Sequence, residues 1–263
     1  MEGWRRQDPP AIPQLAIPVT VPNQMVESAN TSKSSITKAT ADLALIAFYY
    51  LLRIGEYTRP RNPNNARPNT KRTIQFRVGD IGFFKNDKIL PRSSPLEILL
   101  QADSCTFKIT NQKNGRMGET IHNHALPTTT LCPVKAAARR VFHILQNNGT
   151  STNCICDVFE NNRWTHVTPT HMITNIRTTV RYLDLQNHGI DPDLVGVHSL
   201  RAGGAMAMKL QGFNDTTIMK QGRWTSLTFL QYIHNQIAHL SANISSKMSN
   251  ELTFTNIAAI EPW

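Results

Sequence analysis

Leu43-Ala44-Leu45-Ile46-Ala47-Phe48-Tyr49-Tyr50-Leu51-Leu52 is an unbroken apolar run, and it ends on Arg53-Ile54-Gly55-Glu56. Ala39, Leu43, Ile46, Ala47 and Tyr50 repeat at helical spacing, and from Leu43 on the other faces are apolar too. A helix that is apolar all round belongs inside a core. Ten residues fall short of the ~18 to 20 that a membrane span needs. The spacing predicts one helix over about Ile36 to Ile54, broken at Gly55. Arg53 then ends a very apolar helix, where a charge needs a partner. Glu56, three residues on, is within reach. A cation that merely suits a helix C-terminus is the plainer reading of Arg53 alone.

Working outward, residues 1 to 35 read as a linker. Pro9, Pro10, Pro13, Pro18 and Pro22 exclude a long helix, and residues 28–35 are small and polar. On the other side, residues 57–72 carry Pro60, Pro63 and Pro68 among asparagines and arginines, the pattern of a basic loop. Thr73 to Phe84 is strand-like, with a turn at Gly79-Asp80 or Lys85 to Lys88. Cys105 to Gln112 alternates, Asn114-Gly115 is a hairpin signal, and Glu119 to Asn123 is the partner strand. The remainder reads as helices over Cys132–Gln146, Thr168–Leu183, His198–Gln211, Asn214–Gln221 and Ser226 to about Ala242. Thr168-Pro169 supplies an N-cap and a first-turn proline. The fold class is α+β, mainly α, with a small antiparallel β-sheet inserted after the first core helix. The domain is expected over 36–245, with a tail over 246–263.

The chain has 263 residues, 40% of them hydrophobic, enough for one large core. Its formal charge is +10, and ten basic residues against three acidic ones fall between Arg53 and Arg92. Such clustering suits a surface that follows phosphates, so nucleic acid is favoured over an anionic membrane. Cys105, Cys132, Cys154 and Cys156 form no CxxC pair, so neither a zinc site nor any other metal is predicted, although His122 and His124 lie nearby in sequence. The start, residues 1–10, has no apolar run of the secretory kind.

Three segments carry chemistry. Arg53 and Glu56 form the first. The second is His198-Ser199-Leu200-Arg201, whose three-residue step puts both side chains on one face of a helix start, a natural phosphate site. The third is Gly222-Arg223-Trp224-Thr225-Ser226, followed by Phe229-Leu230-Gln231-Tyr232-Ile233-His234. Each alone also reads as an ordinary helix end, surface pair or core aromatic.

In this order and spacing the three segments resemble the catalytic domain of tyrosine recombinases, the phage-type integrases, over about residues 37 to 245. Within that family the pattern is most similar to recombinases of eukaryotic mobile elements of the Crypton and DIRS types. The resemblance implies that Arg53 is the first catalytic arginine and that Glu56 is the acidic residue supporting it. It makes His198 and Arg201 the HxxR pair, Trp224 the residue of the His-or-Trp position, and Tyr232 the nucleophile. The family's catalytic lysine lies in a β-hairpin between the first arginine and the HxxR box. Lys113 is the first choice for it and Lys108 the second. The interval from Trp224 to Tyr232 is eight, where many members have nine, and Arg223 stands at nine.

The resemblance further implies DNA breakage and rejoining through a 3′-phosphotyrosine, with no metal and no ATP. The partner is double-stranded DNA, held by Arg59, Arg61, Arg67, Lys71 and Arg72 and by the sheet, with a homotetramer as the working assembly and no membrane. The location is the nucleus in a eukaryote, otherwise the cytoplasm or nucleoid. Members usually carry an N-terminal helical clamping domain, and here a proline-rich segment stands in that place, as in a fragment or a truncated copy. The other readings are an inactive DNA-binding relative, a type IB topoisomerase-like enzyme, and an RNA-binding or structural protein.

Overall fold

A computed structural model describes residues 14–60, 75–110, 118–127, 130–226 and 230. Its centre is the apolar run. Helix α1 spans Thr20–Asn30 and helix α2 spans Ser35–Tyr49. In α2, Ala39 to Phe48 are all buried, Thr40 and Asp42 among them, as a helix inside a core requires. The Ser34 hydroxyl caps α2 by accepting from the Thr37 N–H at 3.3 Å. The Glu160 carboxylate accepts from the Ser35 N–H at 2.5 Å, and a negative group there suits the helix N-terminus.

Two expectations about this region are corrected. Residues 20–30 are a helix and not linker. Pro22 falls in the first turn, where a backbone N–H has no helical acceptor, so the proline costs nothing there. Val21, Met25, Val26 and Ala29 form a buried stripe against α2 and a later helix. Even before α1 the chain is docked, with the Leu15 N–H donating to the Leu194 carbonyl at 3.0 Å. The second correction concerns the end of α2. The helix stops at Tyr49 rather than Ile54, because Leu51 takes a left-handed φ of 49° that no helix can continue. Arg53 therefore precedes a new short helix, α3 (Ile54–Tyr57), and Gly55 lies inside it.

The chain then forms β1 (Ile81–Lys85), β2 (Lys88–Leu90), α4 (Leu96–Leu99), β3 (Ser104–Lys108) and β4 (Thr120–His124), an antiparallel sheet of order β2-β1-β3-β4. Asn86 and Asp87, both at positive φ, make the two-residue turn between β1 and β2. The β3–β4 pairs run from Lys108↔Thr120 to Ser104↔His124, and Asn114-Gly115, the expected turn between them, lies outside the described residues. Residues 78–80 are a 3-10 turn, so the strand expected from Thr73 begins only at Ile81. Tyr50 joins the sheet to α2, its hydroxyl donating to the Cys105 carbonyl at 3.0 Å and its ring lying 4.5 Å from that of Phe107.

Helix α5 (Pro133–Gln146) follows as read. The next segment does not. Strands β5 (Asp157–Glu160) and β6 (Arg163–His166) form a hairpin where only helices were expected. Asn161 and Asn162 turn it at φ 51° and 57°, a conformation asparagine tolerates better than most residues. Buried Arg140 holds the hairpin to α5 by donating to the carbonyls of Ile155 and Asp157. Helices α6 (Pro169–Tyr182), α7 (Ser199–Leu210) and α8 (Asp215–Gly222) complete the described fold. Gly203 and Gly204 let α7 press on its neighbours: an added Cβ would stand 2.0 Å from the Ile17 carbonyl oxygen and 2.2 Å from that of Phe48. This contact brings the start of α7 beside the break at Leu51.

Candidate active site

The break after α2 leaves the Leu51 carbonyl without a helical donor, and two arginines use it. Arg201, on the first turn of α7, donates from Nη1 to this carbonyl and from Nη2 to the Gly222 carbonyl at the end of α8. Arg223 donates from Nη2 to the same Leu51 carbonyl at 3.1 Å. Arg223 also meets Glu56 with both arms, Nη1 to Oε1 and Nη2 to Oε2, each at 2.9 Å. Glu56 in turn accepts from the Arg53 backbone N–H at 2.8 Å and pairs with Arg53 Nη1 at 3.3 Å. One backbone carbonyl and one carboxylate thus tie together α3, α7 and the end of α8.

The stacking residue is Trp224. The Arg201 guanidinium lies 4.1 Å from its ring centroid, a cation–π contact. The Trp224 ring also passes close over Gly222, where a Cβ would fall 1.7 Å from a ring carbon. Arg223 caps α8 in the left-handed region, at φ 58°.

Burial grades the three arginines. The Arg53 side chain is 21% exposed, that of Arg223 only 2%, and Arg201 is buried. Burial pushes the Glu56 carboxyl up, but Arg223 and then Arg53 outweigh it and hold Glu56 below the usual carboxylate range. His198 is half-buried at the start of α7, and its backbone N–H donates to Gln14 Oε1 at 2.8 Å. Burial, with Arg201 and Arg53 nearby, lowers its pKa, so its imidazole is neutral at pH 7. The cluster of Arg53, Arg201, Arg223 and Glu56 keeps a positive excess beside a neutral imidazole. That combination suits a phosphate diester, whose charge the arginines can meet while the histidine moves a proton.

The structure brings Arg53, Glu56, His198, Arg201 and Trp224 into one place. Arg59 is elsewhere occupied, with Nη2 2.9 Å from Cys154 Sγ and 3.4 Å from Asp157 Oδ1. Lys108 is exposed at the end of β3, paired with Thr120. Lys113, Tyr232, Arg61, Arg67, Lys71 and Arg72 lie outside the described residues. Between β4 and α8 opens a cleft of about 460 Å³, lined among the described residues by Glu119, His122, Lys220, Gln221 and Arg223. Sequence reading missed Arg223 as a site residue, although it noted that Arg223 stands nine residues before Tyr232. It also missed Leu51, since no residue type announces a carbonyl that serves as a hub. Among the described residues, no helix is long and apolar enough to cross a membrane, and no group of three His, Cys, Asp or Glu side chains could hold a metal ion.

Neither a protein-family model nor a curated relative matches the amino-acid sequence. Solved structures do. The post-cleavage complex of the XerH site-specific recombinase with its palindromic difH substrate matches with a TM-score of 0.54 and 12% identity, over 89% of this chain and 54% of that one. The XerH pre-cleavage complex with difH matches with a TM-score of 0.52 and 11% identity, over 91% and 55%. The chain therefore spans about half the length of the solved proteins it matches. At this identity the likeness is one of fold, and the fold this chain shares is that of the XerH site-specific recombinase.

Proposed function

We propose that this chain breaks and rejoins DNA as a tyrosine recombinase, through a 3′-phosphotyrosine on Tyr232. The observation that carries the reading is the shared knot of Arg53, Glu56, Arg201 and Trp224 around the Leu51 carbonyl, set in a recombinase fold. Tyr232 Oη attacks the scissile phosphorus, a new O–P bond forms, and the bond from phosphorus to the 5′ oxygen breaks. Arg53 and Arg201 stabilise the charge on the non-bridging oxygens of the pentacoordinate transition state. Neutral His198 accepts the tyrosine proton. Lys113, or Lys108, protonates the departing 5′ oxygen, and the Trp224 indole N–H donates to a phosphate oxygen. Glu56 orients Arg53. The phosphotyrosine conserves the energy of the phosphodiester, so a 5′-hydroxyl from another strand reverses the step without ATP or a metal.

Two of the four other tyrosines are unsuited to the nucleophile's role. Tyr50 and Tyr57 are fully buried, the former is bonded to Cys105, and burial raises both far above the usual phenol range. Neither can reach a DNA strand. The catalytic unit takes in α1 and runs to about residue 245. Its DNA surface includes Arg61, Arg67, Lys71 and Arg72, its working form is a tetramer on DNA, and its setting is a Crypton- or DIRS-like mobile element acting in the nucleus.

The test is covalent capture. The protein is mixed at low salt with a random-sequence pool of nicked duplexes, then denatured, and DNA-linked protein is counted beside Tyr232→Phe. A linked species that vanishes in the variant is the expected result and delivers the cut sequence. Capture that persists in Tyr232→Phe refutes the nucleophile. A second reading, an inactive DNA-binding relative, draws on Arg201, which is buried and bonded to two backbone carbonyls. Firm DNA binding with no adduct selects it.

A further inference from the structure

We infer that Arg223 is the positioning residue of this site: it sets the two phosphate-directed arginines, Arg53 and Arg201, by holding the carboxylate that orients one and the carbonyl that anchors the other. The inference rests on the proposed recombinase chemistry. Arg53 reaches Glu56 by its backbone N–H and by Nη1, and the same two carboxylate oxygens are bridged by the arms of Arg223. Arg201 reaches the Leu51 carbonyl, and so does Arg223 Nη2. Arg223 is thus one step from each.

Three further observations mark it as a positioning group rather than a reacting one. Its side chain is 2% exposed, and both Nη groups are engaged with Glu56 and the Leu51 carbonyl. Among the described residues its Nε–H has no hydrogen-bond acceptor, so the hold seen there comes from the two Nη groups. Its backbone sits at φ 58°, where glycine would sit without strain, so the position keeps a strained arginine for its side chain. The next residue is Trp224, stacked on Arg201, and the chain then leads toward Tyr232. A lysine cannot copy the geometry, because one ammonium cannot span two carboxylate oxygens and a carbonyl in a fixed plane.

The experiment is single-turnover adduct formation on a nicked duplex of the captured sequence. The scissile group is made either as the phosphate or as a methylphosphonate, which lacks one non-bridging charge. Arg223→Gln and Arg223→Lys are compared with wild type, with DNA affinity and melting measured on each. Misplaced arginines matter most where there is charge to stabilise. Arg223→Gln is expected to slow the phosphate reaction by about 10²- to 10³-fold and the methylphosphonate reaction by less than about tenfold, with DNA affinity nearly unchanged. Arg223→Lys is expected to recover only part of the rate, and it carries the test if the glutamine variant does not fold. An equal loss on both substrates, as from general damage to the fold, overturns the inference, and so does no loss on either. Wild-type protein that forms no adduct on either substrate overturns the functional reading itself, a separate outcome.

Discussion

Replacing Glu56 by glutamine keeps the shape of the site and removes its one negative charge. The Arg223 guanidinium, 2% exposed, is then left buried with no counter-ion among the described residues. Two oxygen–nitrogen contacts of 2.9 Å place the charge centres about 4 Å apart, worth about 4 kcal/mol at an effective dielectric constant near 20. Glutamine keeps one acceptor oxygen, so a net loss of about 3 kcal/mol is expected, at the low end for a broken buried pair. For a domain of this size that lowers the melting temperature by about 6 to 12 °C. Guanidinium and thermal melts of Glu56→Gln, Arg223→Met and the double variant measure it. The double variant should be less damaged than the two single losses added together, with a coupling of about 2 kcal/mol. The pH dependence has a definite sign. Glu56 is held below the usual carboxylate range, so its stabilisation is present above pH ~4.3 and is lost as the pH falls through its folded value. Glu56→Gln should flatten the acid limb. A shift under about 1 °C, or strictly additive single variants, refutes the reasoning.

Gly204→Ala would ordinarily stabilise a helix by about 0.5 to 1 kcal/mol. Here the new methyl falls 2.2 Å from the Phe48 carbonyl oxygen, so a net loss of about 2 kcal/mol or more is expected in chemical denaturation. His143 accepts from the Phe159 N–H at 3.1 Å and must be neutral to do so. Burial and then Arg140 hold its pKa at about 4. Its stabilisation is therefore present above pH ~6.5 and lost between there and pH 4, an effect of about 1 to 2 kcal/mol after screening by solvent, and His143→Gln should remove that window from a pH-stability profile. Gly222→Ala should push the Trp224 ring off Arg201 and slow adduct formation by at least about tenfold. Among Cys105, Cys132, Cys154 and Cys156, Cys154 should be alkylated first by iodoacetamide. Cys156 donates to its sulfur and Arg59 pairs with it, lowering its pKa, while Cys105 is held up to about 12 by burial. Peptide mapping after brief treatment reads the order.

What sequence reading captured follows from where the signals are local. Thr168-Pro169 starts α6 as an N-cap and first-turn proline must. Strands β3 and β4 pair where the alternation of Cys105–Gln112 and the partner Glu119–Asn123 placed them. The failures share a cause. Leu51 carries a residue type that favours helix, and its left-handed φ is imposed from outside, by two arginines 150 and 172 residues away that claim its carbonyl. The β5–β6 hairpin is likewise set by a distant group, Arg140, and its Asn-Asn turn is a weaker signal than Asn-Gly. Pro22 reads as a helix breaker, yet its place in the first turn makes it harmless. At the site, residue types and spacing named Arg53, Glu56, His198, Arg201 and Trp224, whereas Arg223 became visible only through its partners.

The break at Leu51 explains why the site needs so long an apolar helix before it. A carbonyl that anchors two guanidinium groups must not drift, and a backbone held only by a surface loop would drift with every change of rotamer. Leu51 and Leu52 are buried at 1% exposure each, one residue past a tyrosine fixed to the sheet through Cys105. The anchor is therefore as rigid as the core itself. On the proposed chemistry, Arg53 and Arg201 gain from this in a specific way. In the transition state the charge shifts by fractions of an ångström, and donors already in place need no reorganisation when it does. Donating from Nη1 and Nη2 to backbone carbonyls, and stacked under Trp224, Arg201 has already lost its rotamer freedom in the folded chain. The entropy of ordering it was spent in folding. On this argument the strained backbone at Leu51 and Arg223 is a cost carried by the folded state in exchange for a site that does not have to rearrange in order to act.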